Sequence, residues 1–156
     1  MNQIGLTDTR PGRPWRDIEQ MYESTLGTSY QSILRNHMTY YPTWKNEYLE
    51  WVRLQYGQTL IAEWPLLAKI RAWQMHILYF DPVVYDWQHI DTKALVMGGS
   101  EDRLTRNYPD LARQVSETLQ NASLKLYPGV GHNPHFEIPD EYHANLIEFL
   151  SSDPNN

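Results

Sequence analysis

The stretch KALVMGG, residues 93–99, is a short apolar run that ends in two glycines, and SEDRLT, residues 100–105, follows it. An apolar run of this length between polar segments is typical of a strand buried on both faces of a parallel sheet. We assign the strand to residues 93–97. Gly98 and Gly99 predict a tight turn where it ends, because glycine adopts turn conformations without steric cost.

A helix and a second strand complete a βαβ unit. Residues 108–120 place apolar side chains in line at helical spacing, and SLKLY, residues 123–127, is the second strand. Two strands joined by a helix form a right-handed crossover and a parallel pair. The predicted fold class is therefore α/β, with a βαβα order in residues 91–156. A closing helix over residues 139–150 has an apolar face formed by Leu146, Ile147, Phe149 and Leu150.

Titratable residues follow both predicted strands. Asp102 comes after the first strand, and His132 lies in PGVGHNPH, residues 128–135, after the second. The carboxyl ends of parallel strands share one edge of a sheet, so we expect the two side chains within hydrogen-bond reach. A carboxylate that orients an imidazole fixes its tautomer, and the imidazole can then act as a general base toward a nucleophile.

Structural roles are the alternatives for these residues. A loop histidine such as His132 can be purely structural, Asp102 can be a solvated turn residue, and Glu101 is its nearest rival as the acid. His132 and His135 also form a His-x-x-His pair, which binds metal when a helix presents it. Pro134 lies between them and no helix is expected there, so the sequence disfavours a metal site.

Residues 1–90 are predicted to form helices and loops. Gly27 ends the first helix and Pro42 stops the second, while Thr43 can cap a third helix that carries Trp44 and Tyr48. A fourth helix ends before Pro82. The four helices are assigned to residues 15–26, from Thr28 or Ser29 to Pro42, from Thr43 to Gly57, and 65–80.

The fourth helix has an apolar face formed by Leu66, Ile70, Trp73 and Ile77. We expect this face to be buried, because an amphipathic helix is stable only against another apolar surface. Residues 83–85 are a weak candidate for a third strand. A parallel sheet needs more than two strands, with helices on both faces. Either another chain completes the sheet, or part of the protein is missing.

Composition narrows the class of protein. The 156 residues suit one domain, and a net charge of −6 without a basic stripe argues against a nucleic-acid partner. The absence of cysteine excludes disulfides, thiolate metal ligands and a cysteine nucleophile. No apolar run can span a bilayer and no signal peptide is present, so a complete chain would stay in the cytoplasm. The many Trp and Tyr residues are expected to pack in the core or to line a pocket.

The order of these motifs resembles the C-terminal part of the α/β-hydrolase family. It consists of GGSEDRLT, residues 98–105, then a helix, a strand, PGVGHNPHFEIPDEYH, residues 128–143, and an amphipathic helix. In that family the triad runs in the order nucleophile, acid, histidine. The resemblance therefore implies that Asp102 is the triad acid and His132 the triad base.

The resemblance also implies a division of the chain and a reaction. Residues 1–90 are similar to the helical cap of the family, and residues 91–156 to the last strands and helices of its core. The implied reaction is hydrolysis of an ester or related acyl bond in a small apolar substrate, by a nucleophile–His–Asp triad. No metal or organic cofactor is implied.

One part of the family pattern is missing from the sequence. The nucleophile of the family lies in a Gly-x-Ser-x-Gly turn, and the segments 27–31 and 98–102 begin like this motif but lack its last glycine. The loop that completes the oxyanion hole is also absent. We therefore expect the chain alone to be inactive, with Ser or Asp as the nucleophile of the parent. We hypothesise a truncated reading frame in which Met1 is an internal methionine.

Two other functions fit the sequence. A non-catalytic interaction module would dock on a separate N-terminal half or on another partner, or would self-associate through the exposed sheet edge. An aromatic-rich ligand-binding protein would use the helical region of residues 1–90 alone. Binding that survives deletion of residues 91–156 would favour this last function.

Overall fold

Residues 6–152 are described by the computed structural model of the chain. They form an α/β structure in which helices precede a two-stranded parallel sheet, as the sequence predicts. None of the helices in this part of the chain is long and apolar enough to cross a membrane. The elements are α1 (Ile18–Leu26), α2 (Tyr30–Tyr40), α3 (Leu49–Gln58), α4 (Trp64–Phe80), β1 (Ala94–Gly99), α5 (Tyr108–Thr118), β2 (Ala122–Tyr127), α6 (Pro134–Glu137) and α7 (Pro139–Ser151).

The chain divides into two compact units. The helical unit contains residues 6–38 and 43–85. The strand unit contains residues 86–152 together with Thr39–Pro42, which comprise the end of α2 and the two residues after it. The division of the sequence into a cap and a core part near residue 90 stays a prediction.

Helix α1 packs on α4 within the helical unit. Asp17 begins α1, because its carboxylate accepts a hydrogen bond from the Gln20 amide (2.8 Å) while the Gln20 side chain accepts one from the Asp17 amide (3.1 Å). This capping box satisfies first-turn N–H groups, so the helix begins after the expected Trp15. At the start of α4, the indole of Trp64 donates to the carbonyl of Leu26 at 3.3 Å.

The third predicted helix begins later than expected. A 3₁₀ turn at Asn46–Tyr48 precedes α3, so Thr43 and Trp44 lie outside the helix. The tighter turn buries Tyr48, which is 3% exposed, and the ring of Trp44 lies edge-on to it at 5.7 Å. The sequence pattern at Thr43 therefore marks the approach to a helix rather than its first residue.

The prediction that the large apolar residues of α4 are buried is wrong for the described part of the chain. The buried positions of α4 carry mostly small or polar-tipped side chains at intervals of four residues. Small side chains let helices approach closely, a preference that hydrophobicity alone does not reveal. The buried residues are Trp64, Ala68, Ala72 and His76, whereas Leu66, Ile70, Trp73 and Ile77 are 61%, 45%, 51% and 62% exposed.

The segment Val83–Tyr85 forms a 3₁₀ turn instead of the weakly predicted third strand. The amide of Tyr85 donates to the carbonyl of Pro82 at 3.3 Å, which closes the turn. The Tyr85 hydroxyl donates to the carboxylate of Asp8 at 2.8 Å, and Arg10 forms an ion pair with the same carboxylate at 2.7 Å. The backbone bond of this turn uses an amide and a carbonyl that a strand would direct to a neighbouring strand.

In the strand unit, β1 and β2 pair in parallel from Ala94 opposite Ala122 to Gly99 opposite Tyr127. Both strands extend beyond the predicted bounds. Gly98 and Gly99 are the last residues of β1, so the turn predicted at these glycines begins only after them. The ladder of the sheet thus continues up to the loop that carries the polar residues.

Helix α5 covers this sheet and is fixed to it by a tyrosine. Val96 of β1 and Ala112 and Val115 of α5 are at most 3% exposed. The hydroxyl of Tyr108, at the start of α5, donates to the carbonyl of Met97 at 2.7 Å. Burial raises the pKa of the Tyr108 phenol, so it remains a protonated donor at neutral pH.

The apolar face predicted for α7 is only partly covered in the strand unit. Leu146 and Phe149 are half-buried, and the ammonium of Lys93 lies 5.0 Å from the centroid of the Phe149 ring. Ile147 and Leu150, however, are 63% and 51% exposed. The sequence pattern predicted the helix α7 correctly. It did not predict which of its apolar side chains are buried within the described residues.

The packing of α4 predicts that a change at a small buried residue destabilises the protein more than a change at a large exposed one. Ala72→Leu should lower the free energy of unfolding by about 1–3 kcal/mol, because it adds volume at a site with no exposure. Ile77→Ser should change it by at most about 0.5 kcal/mol, because that side chain already faces water. Urea titration followed by circular dichroism measures both. A larger loss from Ile77→Ser than from Ala72→Leu would contradict this packing.

Candidate active site

Two loops leave the sheet at the carboxyl ends of its strands. The acid loop, residues 100–105, follows β1, and the histidine loop, residues 128–135, follows β2. Because the strands are parallel and adjacent, both loops lie at the same edge of the sheet. This edge is where the sequence analysis expected the titratable residues to meet.

Backbone hydrogen bonds join the two loops. The amide of Ser100 donates to the Tyr127 carbonyl at 2.9 Å, and the amide of Glu101 donates to the Val130 carbonyl at 2.8 Å. The amide of Gly129 in turn donates to the Ser100 hydroxyl at 3.0 Å. These bonds hold the loops in register up to the residue before Asp102.

The close approach of the loops depends on Gly99. A Cβ atom added at Gly99 would overlap the backbone carbonyl groups of Val130 and Gly131. Any other residue at this position would therefore displace the histidine loop from the end of β1. Close contact, rather than the turn predicted from the sequence, explains the glycine here.

Asp102 uses both of its carboxylate oxygens. Oδ1 accepts hydrogen bonds from the backbone amides of Leu104 (2.8 Å) and Thr105 (3.0 Å). Oδ2 lies 2.7 Å from Nδ1 of His132. The Asp102 side chain is 3% exposed. The turn that follows Asp102 thus orients its carboxylate toward the imidazole.

Two opposing effects act on the pKa of the Asp102 carboxyl. Burial by itself would raise that pKa, because a carboxylate is less well solvated inside the protein. The hydrogen bonds from His132, Thr105 and Leu104, together with the charge of His132, outweigh burial and hold the pKa below its usual value of 3.8. Asp102 is therefore ionised at neutral pH.

The contact with Asp102 selects the tautomer of His132. An ionised carboxylate can only accept hydrogen bonds, so Nδ1 of His132 carries the proton. In the neutral form of the imidazole, Nε2 then holds the lone pair and can accept a proton or a hydrogen bond. The imidazole is 7% exposed. The arrangement presents a basic nitrogen whose orientation is fixed from the other side of the ring.

Comparison with known proteins shows which sequences and folds the chain is similar to. No protein-family model matches the chain. A non-heme chloroperoxidase from Streptomyces lividans is 32% identical over 101 residues, which cover 62% of this chain and 36% of that protein. The structure of a probable hydrolytic enzyme from Pseudomonas aeruginosa PAO1 matches with a TM-score of 0.87 and 27% identity, covering 96% of this chain and 53% of that one.

The fold of an α/β hydrolase from a Medee basin deep-sea metagenome library also matches. Its TM-score is 0.55 at 21% identity, and the match covers 94% of this chain and 51% of that one. The chain has the fold of the α/β-hydrolases and resembles part of these proteins in sequence. It spans about a third of the length of the curated relative and about half the length of the two matched structures.

The other candidates, Glu101 and His135, take no part in the hydrogen bond between Asp102 and His132. The side chain of Glu101 is exposed, and only its backbone joins the loops. His135 is half-buried beside Phe136, at 4.2 Å between ring centroids, and burial lowers the pKa of His135. No group of three potential metal-binding side chains occurs in the described residues.

The segment after His132 differs from the prediction in one respect. No helix was expected there, but Pro134–Glu137 form the short helix α6. Proline suits the first turn of a helix, which is the signal that the sequence analysis used elsewhere and did not apply at this position. Helix α6 returns Glu137 to the loop, where its carboxylate accepts a hydrogen bond from the Gly131 amide at 2.9 Å.

The sequence analysis also missed Tyr40. Its backbone carbonyl accepts a hydrogen bond from the His132 amide at 2.7 Å. No sequence pattern pairs residues so far apart in a single chain. A contact of this kind becomes visible only in the folded molecule.

Removing the charge of Asp102 should destabilise the protein in a pH-dependent way. Asp102→Asn should lower the free energy of unfolding by about 2 kcal/mol near neutral pH, since a buried charged acceptor of three hydrogen bonds is lost. Because folding lowers the pKa of Asp102, its contribution is complete above pH 3.8 and is lost as the pH falls below that value. The difference between the two proteins should therefore shrink below pH 3.8.

Asp110→Asn is the matched control for this measurement. Asp110 pairs with Arg113 on the surface at 2.9 Å, and its side chain is 65% exposed. Loss of this ion pair should lower the free energy of unfolding by less than about 1 kcal/mol. Equal effects of the two substitutions in urea titrations near neutral pH would show that the contacts of Asp102 stabilise the protein no more than a surface ion pair does.

Proposed function

We propose that Asp102 and His132 are the acid and the base of an α/β-hydrolase triad, which this chain supplies to a hydrolytic site. The observation that carries the proposal is the 2.7 Å hydrogen bond between Nδ1 of His132 and Oδ2 of Asp102. A solvated turn residue or a structural loop histidine does not require this arrangement. The low exposure of both side chains supports the same role.

The pair would act by general base catalysis. As a nucleophile attacks the acyl carbon, Nε2 of His132 takes its proton, and the resulting imidazolium is stabilised by the Asp102 carboxylate. Nε2 then returns the proton to the leaving alcohol. A water molecule, deprotonated by the same nitrogen, releases the acid product and restores the nucleophile.

The nucleophile and the oxyanion donors come, in this proposal, from polypeptide outside the 156 residues. The sequence contains no Gly-x-Ser-x-Gly segment, and a base with its orienting acid cannot form an acyl-enzyme. The chain alone is therefore inactive. The matched Pseudomonas aeruginosa protein, described as a probable hydrolytic enzyme, is about twice as long as the matched region.

The substrate in this proposal is a small ester or related acyl compound with an apolar body. Residues 1–90 correspond to the cap of the enzyme, as the resemblance of this region to hydrolase caps implies. The many exposed apolar residues of the helical unit support this assignment, because an apolar substrate needs an apolar surface to displace water. No cofactor takes part in the reaction.

A chimera can test the proposal. The part of the Pseudomonas aeruginosa relative that precedes the matched region is fused to the N-terminus of this chain. The chimera should hydrolyse p-nitrophenyl esters, whereas the 156-residue chain should not exceed the rate of spontaneous hydrolysis. His132→Ala in the chimera should lower kcat by about a thousandfold or more, because the triad acts as a unit.

His143→Ala is the matched control for His132→Ala, since His143 is an exposed histidine of α7. It should leave kcat of the chimera unchanged. Equal turnover in the His132→Ala and unsubstituted chimeras would contradict the role of His132. Turnover by the isolated chain that disappears on His132→Ala would show that the chain contains its own nucleophile.

A second candidate function is an interaction module for a nucleophile-bearing polypeptide. The row of exposed apolar residues on α4 favours it, and so does β1, which pairs only with β2 within residues 6–152. Apolar rows and unpaired strand edges are typical of surfaces that bind another protein. In this function the chain supplies affinity rather than catalysis.

The interaction module predicts a complex that depends on α4. The isolated chain, mixed with the same N-terminal part of the Pseudomonas relative, should sediment as a one-to-one complex. Trp73→Glu should weaken it by about tenfold or more, because a large aromatic side chain would be lost from an interface. Gln74→Glu, at an exposed polar position, is the control and should have no effect. Sedimentation of the two parts as separate species would exclude this function.

A further inference from the structure

The segment Thr39–Pro42 belongs to the strand unit although helical-unit residues flank it on both sides. It contains the end of α2 and the two residues before the approach to α3. Tyr41 in this segment is 1% exposed, which makes it one of the most deeply buried large side chains of the chain. The segment therefore forms part of the interior that surrounds the histidine loop.

Three contacts connect this segment to the histidine loop. The backbone amide of His132 donates to the carbonyl of Tyr40 at 2.7 Å. The ring of Tyr40 is in contact with the imidazole of His132, with centroids 5.2 Å apart and planes inclined by 34°. The side-chain amide of Asn133 donates to the hydroxyl of Tyr41 at 3.3 Å.

The absence of a side chain at Gly131 allows these contacts. A Cβ atom at Gly131 would overlap the Tyr40 carbonyl and would approach Cδ of Pro42 to 2.5 Å and Oε1 of Glu137 to 3.0 Å. The histidine loop is thus enclosed by the 39–42 segment and by α6. The residue before His132 must be small for the loop to reach this position.

We propose that Tyr40 is a positioning residue for His132. Its carbonyl fixes the backbone of the histidine, and its ring packs against the imidazole, so that Nδ1–H remains directed at Asp102 and exchanges slowly with water. The inference deepens the proposed function, because it concerns the residue assigned there as the base. Tyr40 does not touch the reacting atoms in this role.

Two constraints on the imidazole come from different directions. Asp102 fixes the tautomer of the imidazole and the position of its Nδ1 atom. The Tyr40 ring restricts rotation about the bond that joins the imidazole to the backbone, because aromatic rings in contact favour a narrow range of relative orientations. Together they hold Nε2 in one direction, which is the requirement for a general base.

Proton NMR of the intact chain tests this role without any need for turnover. The Nδ1 proton of His132 should give a resonance far downfield of the amides, as expected for a short hydrogen bond to a carboxylate. Tyr40→Leu keeps the carbonyl but removes the ring, and should raise the exchange rate of that proton with water by about tenfold, which corresponds to easier local opening. Tyr40→Phe keeps the ring and should preserve the exchange rate.

Tyr85→Leu is the control for loss of a tyrosine elsewhere, since Tyr85 is 54% exposed and bonded to Asp8. It should not change the exchange of the His132 proton. Unchanged exchange in Tyr40→Leu would overturn the proposal. Tyr40→Met, which also removes the ring but keeps a long side chain, replaces Tyr40→Leu should that variant lose its native spectrum. Loss of the native spectrum in both would assign Tyr40 to stability alone and would also overturn it.

The chimera described above separates this inference from the proposed function. Tyr40→Leu should lower kcat and leave KM unchanged, whereas Tyr40→Phe should restore kcat. If His132→Ala abolishes turnover but Tyr40→Leu alters neither kcat nor proton exchange, only the positioning role fails. If His132→Ala leaves turnover intact while Tyr40→Leu still accelerates proton exchange, only the base role fails.

Discussion

Two backbone hydrogen bonds, from Ser100 to Tyr127 and from Glu101 to Val130, extend the pairing of the strands into the loops beyond the sheet. They act on atoms that every residue possesses, so they transmit the geometry of the sheet regardless of side chain. Asp102 is the next residue along the chain. Its carboxylate lies close to His132 because these hydrogen bonds fix the conformation of the backbone before it. The chemistry of the site thus depends on the parallel ladder of β1 and β2.

Electrostatics at the site follow from this backbone arrangement. A buried carboxylate would ordinarily resist ionisation, but the amides of Leu104 and Thr105 are directed at one of its oxygens. The second oxygen is left for the imidazole. Hydrogen-bond donors at fixed positions therefore stabilise the buried negative charge of Asp102. Buried ionised groups in proteins are commonly stabilised in this way.

The residues that could be predicted from the sequence are those governed by short-range periodicity. Strand and helix order follows from patterns within the chain, and parallel strands place their following loops together, so the meeting of Asp102 and His132 was predictable. The buried side of α4 was not, because it depends on which surface lies opposite, and close packing there selects Ala68 and Ala72 over larger apolar residues. The contact of Tyr40 with His132 joins segments that are distant in the sequence, so no periodic pattern of residues predicts it.

The crossover from β1 through α5 to β2 has a kinetic consequence. Parallel strands cannot pair through a short hairpin, so the ladder forms only after the intervening helix has folded and docked. The last supports of the histidine loop, at Glu137 in α6, lie still further along the chain. The orientation of His132 therefore depends on contacts that are complete only after α6 has been synthesised.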